Sequence, residues 1–277
     1  MERLCFGTAG IPLSTKKRGT PEGITRVREL GLDAMELEFV RGVRMGDALA
    51  EKVRMAARKN GVVLTAHGPY YVNLASEKDD VRIKSMERIL NTARVLKKCG
   101  GRSFTFHAGY YYKDDSNKTY DIMKDALEKV VEILAAENND VRVCPEVMGK
   151  TKSFGKLPEI LRLCEEVEGI HPCIDFAHLH ALDGAYNTYK EFANVFENME
   201  SRLGAVELKN LHIHVSGIEY GPRGEKRHLE LEKSDLNYRD LVKTMKDFDC
   251  AGVVICESPS IEDDALLLQN EYMSLSD

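Results

Sequence analysis

Short apolar runs recur along the chain, in AMELEF, VVLTAH, SFTFH, RVCPE, HPCID, LHIH and VVICE, and each gives way to a segment whose apolar positions repeat at helical spacing. The predicted helices are Pro21–Leu30, Asp47–Asn60, Asp80–Lys98, Thr119–Asn138, Leu157–Val167, Thr188–Leu203, Asn237–Phe248 and Ile261–Ser274. Punctuation supports these bounds. Thr20 before Pro21 predicts an N-cap with proline at the first helical position, Gly31, Gly61 and Gly100 predict helix stops, and Thr188 predicts the cap of the sixth helix. Strands such as VVLTA and VVIC are apolar on both faces, as strands with helices outside and a packed interior must be. Eight strand–helix units predict one (β/α)8 barrel domain over residues 1–277. An open doubly wound sheet is the competing arrangement, but no glycine-rich phosphate loop follows the first strand.

The polar residues that interrupt this pattern fall at one place in each unit. Seven of the eight strands end in a residue that can ligate a metal: Glu38, His67, His107, Glu146, Asp175, His214 and Glu257. In a parallel barrel the C-terminal strand tips converge on one face, so these residues are expected around a single pocket. His178, in IDFAHLHA, adjoins the same ring. Imidazoles and carboxylates together are the donor set of zinc, manganese or iron, whereas calcium and magnesium prefer oxygen alone. A carboxylate such as Glu146 can bridge two ions with its two oxygens. His212 shares a strand face with His214 but lies one layer deeper, so it is read as structural, together with His171 and His180.

Composition sets the background. The chain is 43% hydrophobic and 7% aromatic, with seven cysteines, an odd number without a CxxC pair, so disulfides are not expected. The first strand begins almost at once, and no apolar stretch approaches membrane-spanning length, which predicts a cytoplasmic protein without a membrane partner.

The chain resembles the endonuclease IV family of zinc-dependent apurinic/apyrimidinic endonucleases, TIM barrels in the xylose isomerase-like superfamily. The similarity runs from the first strand to Glu257. His67 in AHGPYYVNL, His107 in FHAG, Glu146, the Asp175 and His178 of CID-x-x-H, His214 and Glu257 match the family's zinc ligands in order. The resemblance implies that His67 and His107 hold one ion, that Asp175, His214 and Glu257 hold another, and that Glu146 bridges them and is the catalytic residue. It implies zinc as cofactor, two or three ions, with manganese as the alternative. The family's Asp-x-His pair after the seventh strand is half present: His228 keeps the histidine, but Lys226 stands where the aspartate should, leaving the third site in doubt. Glu225 and Glu219 are the nearby carboxylates that could replace it.

The implied activity is hydrolysis of the phosphodiester 5′ to abasic sites in duplex DNA, leaving a 3′-hydroxyl, by an enzyme expected to be monomeric. A net charge of −6 and a pI near 5.8 are acidic for a DNA-binding protein. The basic residues are nevertheless placed in βα loops: Lys16, Lys17 and Arg18, then Arg41 and Arg44, then Lys150, Lys152 and Lys156, then Arg223, Lys226 and Arg227. Tyr70 matches the family's minor-groove tyrosine, and Arg41 or Arg44 is placed for insertion into the base stack. The alternative is a single-metal sugar isomerase or epimerase of the same superfamily, for which Glu146, Asp175, His214 and Glu257 suffice. That reading leaves His67, His107, His178 and His228 without a task.

Overall fold

The computed structural model describes residues 1–275 apart from Arg18 and Asp114, so Arg18 of the basic set lies outside the described residues. In chain order the elements are β1 (Leu4–Ala9), α1 (Thr20–Glu29), β2 (Ala34–Glu38), α2 (Asp47–Asn60), β3 (Val63–His67), α3 (Asp79–Cys99), β4 (Ser103–Phe106), α4 (Ser116–Ala136), β5 (Arg142–Pro145) and α5 (Leu157–Glu166). There follow β6 (Cys173–Asp175), α6 (Phe176–Asp183), α7 (Tyr189–Leu203), α8 (Ala205–Leu208), β7 (Leu211–Val215), β8 (Gly217–Gly221), β9 (Gly224–Leu229), α9 (Tyr238–Asp247), β10 (Gly252–Cys256) and α10 (Glu262–Ser274). Eight strands pair in parallel in the order β5-β4-β3-β2-β1-β10-β7-β6. Two isolated parallel bridges, Val143 with Ile170 and Glu146 with Cys173, bring β5 against β6 and make a nearly closed barrel.

All eight expected helices form, with shifts at their ends. Gly19, not Thr20, is the N-cap of α1; Thr20 is already helical and Pro21 sits in the first turn. Thr188 caps α7 through a capping box with Glu191, its hydroxyl accepting from the Glu191 amide. Gly61 and Gly100 end α2 and α3 in the left-handed region, with φ of 62° and 72°. The sequence pattern did not foresee α6, α8, the antiparallel hairpin β8–β9 inside the loop after β7, or the short 3-10 turn at Leu231–Lys233 that follows it.

The outward strand residues, among them Phe104, Phe106, Ile213 and Val254, join the core beneath the helices. The inward residues divide by chemistry. Cys5, Ala34, Val253 and Ile255 form a small apolar cluster on one side. On the other, Glu36, Thr65, Ser103 and His212 are buried and joined by hydrogen bonds, and the buried Thr105 donates to Glu146. The N-terminal end of the barrel is held by an Arg142–Glu207–His171 ion-pair group, with the Met1 ammonium donating to the Lys209 carbonyl at 2.7 Å. A cavity of about 600 Å³ beside Arg142 and His171 opens at that end, away from the strand tips. No disulfide is formed by the seven cysteines. Among the described residues no helix is long and apolar enough to cross a membrane.

Candidate metal centre

The strand tips do meet. His67, His107 and Glu146 form one group whose donor atoms lie within 4.8 Å of one another, and Glu146, Asp175, His214 and Glu257 form a second. Asp175, His178 and His228 form a third. His67, Glu146, Asp175, His178 and His214 are buried, whereas the side chains of His107 and His228 are 27% and 24% exposed and give the centre its opening.

Local structure aims these donors. Asp175 is the N-cap of α6: its Oδ1 accepts from the His178 amide at 2.7 Å, which fixes His178 one turn above the strand tip and leaves Oδ2 free. The His67 Nδ1–H donates to the Gly68 carbonyl at 2.7 Å, that of His178 to Val147 at 3.0 Å and that of His228 to Glu257 at 3.1 Å. A backbone partner on Nδ1 leaves the lone pair on Nε2, the arrangement by which ligating imidazoles are oriented.

The separations fit cations. Four ligands about 2.0–2.1 Å from a tetrahedral zinc stand about 3.3–3.4 Å apart. Here Glu146 Oε2 is 3.3 Å from His67 Nε2 and 3.6 Å from His107 Nε2, and Glu257 Oε2 is 3.3 Å from His214 Nδ1. Glu146 Oε1, Asp175 Oδ2 and His214 Nδ1 are buried with no hydrogen-bond partner, a cost that a bound cation would remove. A deeper trio, Cys173, His212 and His214, also converges. It offers no free imidazole at His212, which accepts from Ser103 at 3.1 Å and donates to Glu36 at 2.9 Å, and burial keeps the Cys173 thiol protonated by pushing its pKa well up.

Electrostatics point the same way. Burial alone would raise the Glu146 carboxyl, yet His107 and His214 hold it well below the usual range, and His214 likewise holds Glu257 at about 2. Burial opposes charge on His67 and His178, but Glu146 outweighs it at the first and Asp175 at the second, raising both to about 10. Burial, with Glu257 and Glu146 adding to it, raises Asp175 to about 6. Without metal, protons on these imidazoles balance the carboxylates.

Glu36 is the residue that the strand pattern did not single out. Its Oε2 accepts from Thr65 at 2.8 Å and from His212, and its Oε1 stands 3.0 Å from His214 Nε2, so it orients His214 from below. Glu38, the expected second-strand tip, is exposed at the rim and joins none of the groups. His171 pairs with Glu207 at the opposite end, and His180 donates to the Ala185 carbonyl at 2.8 Å, so both stand apart from the centre, whereas His212 lies beneath it with its ring 5.2 Å from that of His214.

Around the opening, Tyr70 is exposed, packing edge-on to His67 and stacked over His107 with ring centres 5.3 and 5.5 Å away. Arg41 and Arg44 line a cavity of about 330 Å³ with Glu38, and Lys150, Lys152, Arg223 and Lys226 line one of about 430 Å³. The basic loop residues are not all free. Glu219 engages Arg227 at 2.7 Å and Lys226 at 3.4 Å, while Arg41, Arg44, Lys152 and Arg223 make no ion pair among the described residues.

Comparison with known proteins places the chain in a family. The family model described as xylose isomerase-like TIM barrel matches residues 24–273. The chain is 44% identical over 273 residues to an uncharacterized protein of Methanocaldococcus jannaschii, with 98% of each chain covered. It is 25% identical over 253 residues to the probable endonuclease 4 of Aquifex aeolicus, covering 87% of this chain and 84% of that one. The structure of endonuclease IV from Thermus thermophilus superposes with a TM-score of 0.72 at 18% identity, over 96% and 98% of the two chains. A D-tagatose 3-epimerase-like protein does so with 0.73 at 18% identity, over 96% and 97%, so the structural likenesses speak for the fold alone. The chain belongs to the xylose isomerase-like TIM barrel family, and proteins named endonuclease 4 are among its relatives.

Proposed function

We propose that the protein is a metal-dependent endonuclease that hydrolyses the phosphodiester 5′ to abasic sites in duplex DNA and leaves a 3′-hydroxyl. The observation that carries this reading is the sharing of Glu146: Oε2 faces His67 and His107, while Oε1 lies 3.6 Å from His214 Nδ1, so one carboxylate serves two adjoining donor groups. Bound divalent cations, zinc or manganese, would supply Lewis acidity, lowering the pKa of water and neutralising charge on the phosphate. His67 and His107 hold one side of the centre, Asp175, His214 and Glu257 the other, and Glu146 is the catalytic residue between them. Thr105 donates to Glu146 Oε2 at 3.2 Å and Glu36 steadies His214, so the centre is supported from below. Tyr70 offers a ring and hydroxyl to the minor groove, and Arg41 and Arg44 are exposed where an arginine can enter the stack beside a nucleotide that has no base pair to lose. The relatives named endonuclease 4 support this reading.

A sugar epimerase is the second reading, favoured by the Glu146–Asp175–His214–Glu257 group, which by itself can hold one ion and supply an acid and a base. Two observations separate them. A labelled duplex carrying one tetrahydrofuran abasic analogue, which cannot undergo β-elimination, should be incised when zinc or manganese is supplied, and purified protein should contain two or three ions. Turnover of a keto sugar without incision, and one ion per chain, would establish the epimerase.

A further inference from the structure

We propose that a β-bulge at Lys226 delivers Glu225 as the carboxylate of a third cation site with His178 and His228. The inference rests on the reading above of a centre holding several ions. In a regular strand, residues two apart share a face, so β9 would present Lys226 alongside His228. The hairpin is not regular. Ile218 opposes His228 and Glu219 opposes Arg227, but Tyr220 opposes Glu225, so Lys226 is the extra residue of a bulge.

The side chains follow this change of phase. Lys226 turns outward to Glu219, with 56% of its side chain exposed. Glu225 turns inward, 13% exposed, and its Oε2 stands 3.4 Å from His178 Nε2. The His228 ring packs against the same imidazole, with centres 5.7 Å apart, so residues three apart in β9 both meet His178. The hydrogen bonds of His178 and His228 through Nδ1 put both lone pairs on Nε2, and the carboxylate facing the Nε2 of His178 is that of Glu225. Asp175, whose donor converges with those of His178 and His228, has its Oδ2 3.3 Å from Nδ1 rather than beside Nε2, and it also belongs to the group of Glu146, His214 and Glu257. The 3.4 Å spacing is the edge expected between two ligands of one tetrahedral zinc, about 3.3–3.4 Å.

Backbone contacts fix the arrangement. The Glu225 amide donates to the Gly149 carbonyl at 2.8 Å, and Gly224, at φ +90°, lies so close that a Cβ would fall 2.0 Å from that oxygen. Lys150 Nζ stands 3.4 Å from Glu225 Oε2 from a half-exposed position and serves as its counter-charge without metal.

The test is metal content and affinity. Wild type, Glu225→Gln, Glu225→Asp and Lys226→Ala are loaded with zinc, desalted, assayed by elemental analysis and titrated with a competing chelator, and melting of the chelator-stripped proteins checks the fold. Wild type and Lys226→Ala are expected to hold three ions, and Glu225→Gln to lose one or bind it at least tenfold more weakly. Glu225→Asp, with its charge one methylene back, should fall between them and carries the test if the glutamine variant does not fold. Three ions at wild-type affinity in Glu225→Gln, or two in wild type, would overturn the role of Glu225 and leave the two-ion nuclease standing. One ion in wild type would overturn both.

Discussion

Glu36 shows how a residue outside the donor groups can govern them. Held by Thr65 and His212 on one oxygen, it sets its other oxygen against His214, so Glu36→Gln should weaken binding of one ion by about 10–100-fold, read by chelator competition. Glu146→Gln keeps the shape and loses the shared charge. Incision should fall by about 10² or more with little change in melting. A variant that melts normally and cuts within about tenfold of wild type would remove Glu146 from the catalytic role. The histidines were legible because imidazoles at successive strand ends break an otherwise apolar pattern. Glu36 was not, because in AMELEF it lies two residues behind Glu38 on the same strand face, and only packing shows that the inner one is buried while the outer reaches the rim. Glu225 and Glu219 were equivalent candidates in sequence, since a bulge leaves no periodic trace.

At the scale of elements, α6 escaped the helical pattern because it is buried all round: Phe176, Ala177, Leu179 and Ala181 are inaccessible, so no polar face alternates with an apolar one. The β8–β9 hairpin packs on it through Ile218, which clusters with Ala177 and Ala181. Gly149 lies under His178, where a Cβ would come within 2.9 Å of the ring and 3.0 Å of its Cα. Gly149→Ala should therefore cost about 1–3 kcal/mol and displace the imidazole, lowering both the melting temperature and zinc content. Elsewhere, Arg28 ties α1 to the end of α2 by donating to the Asn60 and Gly61 carbonyls at 2.8 and 2.7 Å, and it reaches Asp33 at 2.9 Å. Burial would raise the Asp33 carboxyl, but Arg3 and Arg28 more than offset it and hold it below its ordinary value of 3.8. This stabilisation is complete above the unfolded value and is lost as pH falls through the lower folded one. Asp33→Asn should cost about 1–2 kcal/mol at neutral pH, given the exposure of Arg3, and the gap from wild type in melting temperature should close in acid.

For the whole molecule, the barrel was readable from eight repeats of one strand–helix unit, a long-range order that survives errors of a residue or two at each boundary. Lys152 and Arg223, which line one cavity with Glu225, make no ion pair among the described residues. Lys152→Glu with Arg223→Glu should weaken DNA binding without regard to sequence and reduce the slope of log affinity against log salt by about 2, measured by salt titration. The barrel also has a seam. Where every other neighbouring pair of strands shares a ladder, β5 and β6 meet through two bridges, with the Val147 amide donating to Cys173 at 3.0 Å and the His171 amide to Val143 at 2.9 Å. Glu146 and Asp175, donors of one group, stand on opposite sides of it. An ion held by both would act as a clasp, so on the proposed reading stripping the metal should loosen the barrel at this line first, and the Val147 and His171 amides should lose protection from hydrogen exchange before those in the β1–β10 ladder.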